Sequence, residues 1–249
     1  WFSPSNRHFS LDCQDMSPQC LVRNRAICSS LGSSELEVLN QIGRRQLVRR
    51  GQVLIWEGDE SLLVANVIEG MLKLSTSTAD GREQIVGVVY PSDFIGRPFG
   101  NNSQHTVTAL TDARVCTFTR RAFDGFARQH PELEHKLLER TLVELDRARN
   151  WMLLLGRKSA SEKVGSLLLE MSRRLADGSC SGTDAHLDRF EMPVDRQQMA
   201  DLLGLTIETV SRQLTRLRTA HIIDTPDRRS IVILDRKRLA QNADEHQNG

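Results

Sequence analysis

The chain has 249 residues, enough for more than one folding unit. Its apolar share of 39% and charged share of 26% suit a globular protein, and no apolar run nears the ~18 residues of a membrane-spanning helix. The net charge of +1 decides nothing about nucleic acid, because only the distribution of charge carries that information.

Residues 1–32 read as irregular, rich in Ser, Asn, Pro and Gln with no sustained period. The first residues include Asn6, Arg7 and His8 and hold no continuous apolar stretch. No secretory signal is therefore expected, a cytoplasmic location is, and the start at Trp1 suggests a trimmed natural N-terminus. Cys13, Cys20 and Cys28 fall in one 16-residue window. Such a group in a chain of this kind suggests metal ligation rather than disulfides. Of the other two cysteines, Cys116 lies in a strand-like run, and Cys180, in a Gly/Ser loop, is read as incidental.

A short helix is predicted over 33–43, with Leu36, Val38, Leu39 and Ile42 apolar and Ser34 as its cap. The period then changes to two. Strands are predicted at 46–49, 53–56, 64–68, 71–75, 84–90, 106–110 and 114–119. Turn signals separate them at 57–59, 69–70 and 80–81. Many short strands at this spacing predict a barrel or jelly roll, with Gly51, Gly58 and Gly70 at hairpin turns.

Pro131 opens a long helix predicted to run to Gly156. Leu138, Leu142, Leu145, Ala148, Met152 and Leu155 form a heptad-like stripe on it. Either a core helix or a parallel dimer seam gives that pattern. The length, and the position between two domains, favour the seam. Glu144, Asp146, Arg147 and Arg149 flank the stripe, as carboxylates repelling across a dyad or as solvated charges. A hinge at 157–160 leads, with Ser159 or Ser161 as cap, to a helix carrying Val164, Leu167, Leu168, Met171 and Leu175. Residues 177–188 read as a Gly/Ser loop and 190–194 as a short strand.

Residues 196–220 then show two short amphipathic helices around a turn at Gly204. Met199, Leu202 and Leu203 make one inner face; Val210, Leu214 and Leu217 make the other. Thr206 stands where an N-cap oxygen belongs. This is the pattern of a helix-turn-helix, a motif whose second helix enters the major groove of double-stranded DNA. Glu208, Ser211 and Arg212 share that helix's outer face at i, i+3 and i+4. Arg212 can donate twice to guanine, Glu208 can accept from cytosine, and Ser211 suits either kind of edge. Gln213, Thr215 and Arg216 are placed for phosphate, and Thr206 completes the DNA-binding set. Segments 222–223 and 230–234 predict a two-stranded wing with Arg228 and Arg229 at its tip, before a helix that fades near Gln241 and a disordered polar tail. Residues 206–238 hold eight basic against four acidic side chains, a modest phosphate footprint.

The string Gly204-Leu205-Thr206-Ile207-Glu208-Thr209-Val210-Ser211-Arg212 resembles the recognition element of the CRP/FNR transcription regulators, in the Glu-x-x-Ser-Arg form of the FNR and FixK branch. Cyclic-AMP-responding members usually carry Arg-Glu-x-x-Gly-Arg, where this chain has Ile207 and Ser211. The resemblance implies an α+β protein with an N-terminal cyclic-nucleotide-binding-type β-roll, a long dimerisation helix and a C-terminal winged helix-turn-helix. It implies domains at 1–32 (a cysteine-containing loop), 33–130 (the roll), 131–157 (the helix) and 158–249 (the DNA-binding unit). It further implies a homodimer, a TTGAT-N4-ATCAA palindrome and recruitment of RNA polymerase.

Segment 20–28 is similar to the cysteine loop of FnrL-like oxygen sensors, in which three N-terminal cysteines and one distant cysteine hold a 4Fe-4S cluster. By that resemblance Cys13, Cys20, Cys28 and Cys116 are the ligands. The match departs from the pattern at Ser17, where such loops carry a further cysteine. The cyclic-nucleotide signature is absent: 94–100 lacks the glutamate, Arg97 is misplaced, and His105-Thr106-Val107-Thr108 replaces the phosphate-capping half. No cyclic nucleotide is expected. Two alternatives stand beside the oxygen-responsive regulator: a FixK-like regulator without a cluster, and a redox metalloenzyme using the N-terminal cysteines. No catalytic triad, phosphate loop or zinc-protease motif is present, so the chain is not expected to be an enzyme.

Overall fold

The computed structural model describes Val22 and residues 25–81, 83–177 and 186–244. Eight strands build two facing antiparallel sheets. They are β1 (Gly43–Val48), β2 (Val53–Ile55), β3 (Leu63–Glu69), β4 (Leu72–Ser77), β5 (Glu83–Val89), β6 (Phe94–Gly96), β7 (Thr106–Ala109) and β8 (Ala113–Thr119). One sheet runs β1-β8-β3-β6 and the other β2-β7-β4-β5. Alternate residues point inward, so Val48, Ala65, Val67 and Val115 of the first meet Leu72, Val89, Val107 and Ala109 of the second. Gly70 makes the β3–β4 turn at φ +80°, and a Cβ there would stand 2.3 Å from the Asp112 carbonyl oxygen. The turn tolerates only glycine.

The outer face of the first sheet is apolar too, and a layer of helices covers it. Val64, Ile68 and Phe118 pack against Leu39 of α1 (Ser33–Ile42), Phe123 and Phe126 of α2 (Arg120–Ala127), and Leu133 at the start of α3 (Pro131–Arg157). A 3-10 turn, Ile27–Ser30, completes the layer with Ala26, Ile27, Cys28 and Leu31. The sequence reading of 1–32 as irregular therefore needs correction at its end, because this short turn is core. Strand β6 and helix α2 are also additions. Three residues show no period, and Phe123, Phe126 and Ala127 carry helical spacing that follows directly on a strand. Ser34 does not cap α1. Gly32 occupies the cap position, and the Glu35 carboxylate accepts its N–H at 2.8 Å.

Helix α3 has 27 residues, about 40 Å at 1.5 Å per residue. It is buried at Leu133 and Leu154, but Leu138, Leu142, Leu145, Met152 and Leu155 between and beyond are exposed, Met152 by 71%. Arg147 turns toward the roll, pairing with Asp93 at 3.4 Å and with Glu144. Asp146 pairs with Arg149 on the exposed side.

The C-terminal unit comprises α4 (Ala160–Asp177), β9 (Arg189–Glu191), α5 (Arg196–Leu203), α6 (Ile207–Thr219), β10 (Ile223–Asp224), β11 (Ser230–Ile233) and α7 (Arg236–Ala243). Ser159 caps α4, its hydroxyl accepting the Glu162 N–H at 3.4 Å. The expected two-stranded wing has three strands, ordered β10-β11-β9, because Glu191 pairs with Ser230 and draws segment 189–191 into the sheet. Its core joins Leu167, Leu168, Met171, Leu202, Leu214 and Ile231. Met71, Ile85, Tyr90 and Leu110 of the roll enter the same cluster, so the unit docks on the outer face of the second sheet. Among the described residues no helix is long and apolar enough to cross a membrane.

Candidate nucleic-acid interface and cysteine layer

Local chemistry fixes the angle between α5 and α6. Asp195 caps α5 by accepting the Gln198 N–H at 2.9 Å, and the Gln198 side chain accepts the Asp195 N–H at 2.9 Å. Gly204, at φ +60°, ends the helix in the left-handed region. The Thr206 hydroxyl accepts the Thr209 N–H at 3.3 Å and starts α6. Met199, Leu202 and Leu203 then pack on Val210, Leu214 and Leu217, all buried.

The opposite face of α6 is open. Glu208, Arg212, Thr215 and Arg216 are exposed. The Glu208 carboxyl is held below its ordinary value by its own backbone N–H and by the Thr206 hydroxyl. It is therefore an ionised acceptor at neutral pH. Arg212 Nη2 donates to Thr209 Oγ1 at 3.4 Å. Ser211 is half-buried, and its hydroxyl accepts from Arg196 Nη1 at 3.3 Å. Arg196 thus joins the face from α5, a residue the sequence reading passed over because no local spacing links positions 15 apart. Gln213, read as a phosphate contact, turns toward the domain instead. It is half-buried, and its Oε1 has no hydrogen-bond partner among the described residues. At 3.6 residues per turn it lies about 100° past Arg212.

A cleft of about 650 Å³ separates the start of α5 from the wing, lined by Asp195, Arg196, Gln197, Ile207, Arg228 and Arg229. Asp227 shapes the wing tip. Its carboxylate accepts from the Ser230 hydroxyl at 2.6 Å and from the Ser230 and Arg229 N–H groups at 2.7 Å. Those bonds hold its pKa down at about 2. Three arginines thereby line one open cleft beside the first turn of α6, an arrangement that suits phosphate.

Within the roll, a cavity of about 300 Å³ is lined by Ile55, Phe94, Ile95, Arg97, His105 and Val107 among others. Arg97 is exposed, and its carbonyl accepts from the Ser61 hydroxyl at 3.2 Å.

Cys13, Cys20 and Cys180 lie outside the described residues. Cys28 is buried in the 3-10 turn, and Cys116 on β8 is half-buried; both belong to the layer between the first sheet and the helices. A Cβ on Gly43 would stand 3.3 Å from Cys116 Sγ, so the backbone passes close to that sulfur. Among the described residues, no three His, Cys, Asp or Glu side chains group closely enough to hold a metal ion. The thiols themselves suit iron, as soft ligands that carry charge.

Residues 162–242 match the family model of the Crp-like helix-turn-helix domain, and 45–130 that of the cyclic nucleotide-binding domain. The chain is 42% identical over 230 residues to the transcriptional activator protein FnrL of Cereibacter sphaeroides, covering 92% of each. It is 39% identical over 212 residues to the nitrogen fixation regulation protein FixK of Bradyrhizobium diazoefficiens, covering 85% of this chain and 84% of that one. The solved structure of FixK2 from Bradyrhizobium japonicum is similar with a TM-score of 0.72 at 32% identity, over 80% of this chain and 96% of that one.

Proposed function

The chain belongs to the CRP/FNR family of transcription regulators, and from that premise we propose that this DNA-binding activator of the FNR/FixK type works as a homodimer that reads a TTGAT-N4-ATCAA palindrome and responds to oxygen. The observation that carries the reading is the open face of α6, with ionised Glu208 beside Arg212 in its first turns. Arg212 donates two bonds to guanine O6 and N7, Glu208 accepts from cytosine N4, and Ser211, braced by Arg196, meets the neighbouring base edge. Thr206, Arg216, Arg228 and Arg229 take phosphate and set register. Gln213 follows Arg212 on the same helix, and its enclosed Oε1 makes it the weakest member of the DNA-binding set.

The exposed stripe on α3 supports pairing of two copies, since five large apolar side chains in one row favour burial against a like surface. A two-fold pair sets two recognition helices about 34 Å apart, one DNA turn. Bound there, the dimer recruits RNA polymerase.

Cys13, Cys20, Cys28 and Cys116 would hold the 4Fe-4S cluster, which supplies an oxygen-labile centre when bound. Helix α3 packs against the turn that carries Cys28. Ordering that turn biases the seam toward the paired state, a population shift between two arrangements. The matched families and relatives are transcription regulators, not enzymes, which sets aside the metalloenzyme alternative. Ser17, in place of a further loop cysteine, favours the second reading of a FixK-like regulator without cofactor. Two measurements test the proposal on anaerobically purified protein. Retarded migration of the palindromic duplex but not of a scrambled one supports the reader, and equal retardation overturns it. Iron and acid-labile sulfide support the sensor, and the absence of both overturns it.

A further inference from the structure

We propose that Asn66 is a positioning residue for the Cys116 sulfur, its side-chain amide held beside that sulfur in the buried layer that also contains Cys28. The placement follows from the register. Asn66 on β3 stands directly opposite Cys116 on β8 and, on its other side, opposite Phe94 on β6. Val64 and Ile68, two residues either way, face the helix layer, whereas Ala65 and Val67 face the interior of the roll. Alternation therefore turns Asn66 to the helix layer. On β8, Phe118 faces that layer and Cys116, two residues before it, packs against it. Directly opposed residues on one face have Cβ atoms about 4.5–5.5 Å apart, within reach of an amide and a sulfur.

Asn66 is 4% exposed, and its Oδ1 has no hydrogen-bond partner among the described residues. It is the one buried polar side chain on the strands of this sheet among the described residues. The layer it faces holds Val64, Ile68, Phe118 and Phe123. A leucine or valine would fill the same place without burying an amide, so folding alone gives no reason for asparagine here. The sulfur does give one. An amide carbonyl can accept from a thiol S–H, and a half-turn about the last side-chain bond can present N–H to a deprotonated sulfur instead; the unpartnered Oδ1 leaves the side chain uncommitted to any other group among the described residues. One residue thus serves Cys116 in both its protonated and its ligating state. Hydrogen bonds to a ligating sulfur stabilise its negative charge and tune the reduction potential of the centre it serves.

The inference rests on the cysteine centre proposed above, and its test separates the two. Full-length wild type, Asn66→Leu and Asn66→Thr are purified anaerobically. Iron, acid-labile sulfide, the midpoint potential and the lifetime of the visible absorption in air are measured on each. The S–H stretching band of Cys116, assigned by its loss in Cys116→Ser, is recorded by Raman scattering on the metal-free proteins. The expected result is a metal-free Asn66→Leu protein that melts at or above wild type, with a shifted S–H band. With iron bound, its absorption decays several-fold faster in air and its potential is more negative, while Asn66→Thr, which keeps a donor, falls between. Unchanged band, lifetime and potential in Asn66→Leu overturn the assignment, as does failure of both variants to fold. If wild type holds neither iron nor sulfide, the cysteine centre fails, and the S–H band alone decides whether Asn66 contacts the sulfur.

Discussion

Tyr90 offers the sharpest test of how the roll holds the DNA-binding unit. It follows β5 and is 7% exposed. Its hydroxyl donates to Met171 Sδ on α4 at 3.7 Å, and the Arg174 guanidinium lies 5.1 Å from its ring centroid. Ile85, Met71 and Leu110 surround the same contact, and Gln84 Nε2 donates to the Asp201 carbonyl of α5 at 2.6 Å. Removing a buried aromatic side chain costs about 3–5 kcal/mol, of which the cation–π contact supplies about 1 kcal/mol. Tyr90 stands between two units rather than inside either, so the loss falls on their docking. Tyr90→Ala should split a joint calorimetric transition into two, with amide exchange at the α4–β5 contact accelerated and the recognition helix still folded. Tyr90→Phe loses only a weak O–H···S bond, about 0.5–1 kcal/mol, and should keep the units coupled. A Tyr90→Ala protein that melts in one transition, within about 1 kcal/mol of wild type, would refute the reasoning.

Four further outcomes follow from the geometry. Burial, with the Glu170 carboxylate adding to it, pushes the Tyr90 phenol above its ordinary value of 10.0. The unfolded chain then ionises first, so stability is whole below pH 10 and falls as pH rises above it; Tyr90→Phe should lose that part of the alkaline slope in urea titrations. Glu208→Ala and Arg212→Ala should each cost about 1–3 kcal/mol on the palindrome and little on random duplex by fluorescence anisotropy, equal losses showing mere phosphate contact. Leu142 is 53% exposed in the single chain, so Leu142→Glu should keep the helical content of wild type by circular dichroism while dispersing dimers in sedimentation, and an intact dimer would remove α3 as the seam. The Asp227 carboxyl ordinarily titrates at 3.8 and is held at about 2, so the order it gives the wing tip is present above pH 3.8 and lost as pH falls through 2. In Asp227→Ala the Arg229 and Ser230 amides should exchange fast at every pH, and protection equal to wild type would show that another group shapes the tip.

The helix-turn-helix was legible because everything that makes it lies within a few residues. Apolar spacing, the left-handed Gly204 and the Thr206 cap are local, and local chemistry can be read along a chain. The strands of the roll were legible by their period of two, and α3 by its stripe. Their partners were not. Strand pairing joins residues tens of positions apart, and a shift of one residue would turn every side chain to the other face. Only the folded register brings Asn66 opposite Cys116, puts Cys28 in their layer, and adds β9 to the wing. Only packing sets Arg196 against Ser211, turns Gln213 inward and seats Tyr90 between two units. Residue type and spacing named the elements and the face proposed to meet DNA. Which side chains meet across those elements was decided in three dimensions, because burial and close contact are properties of the whole folded chain.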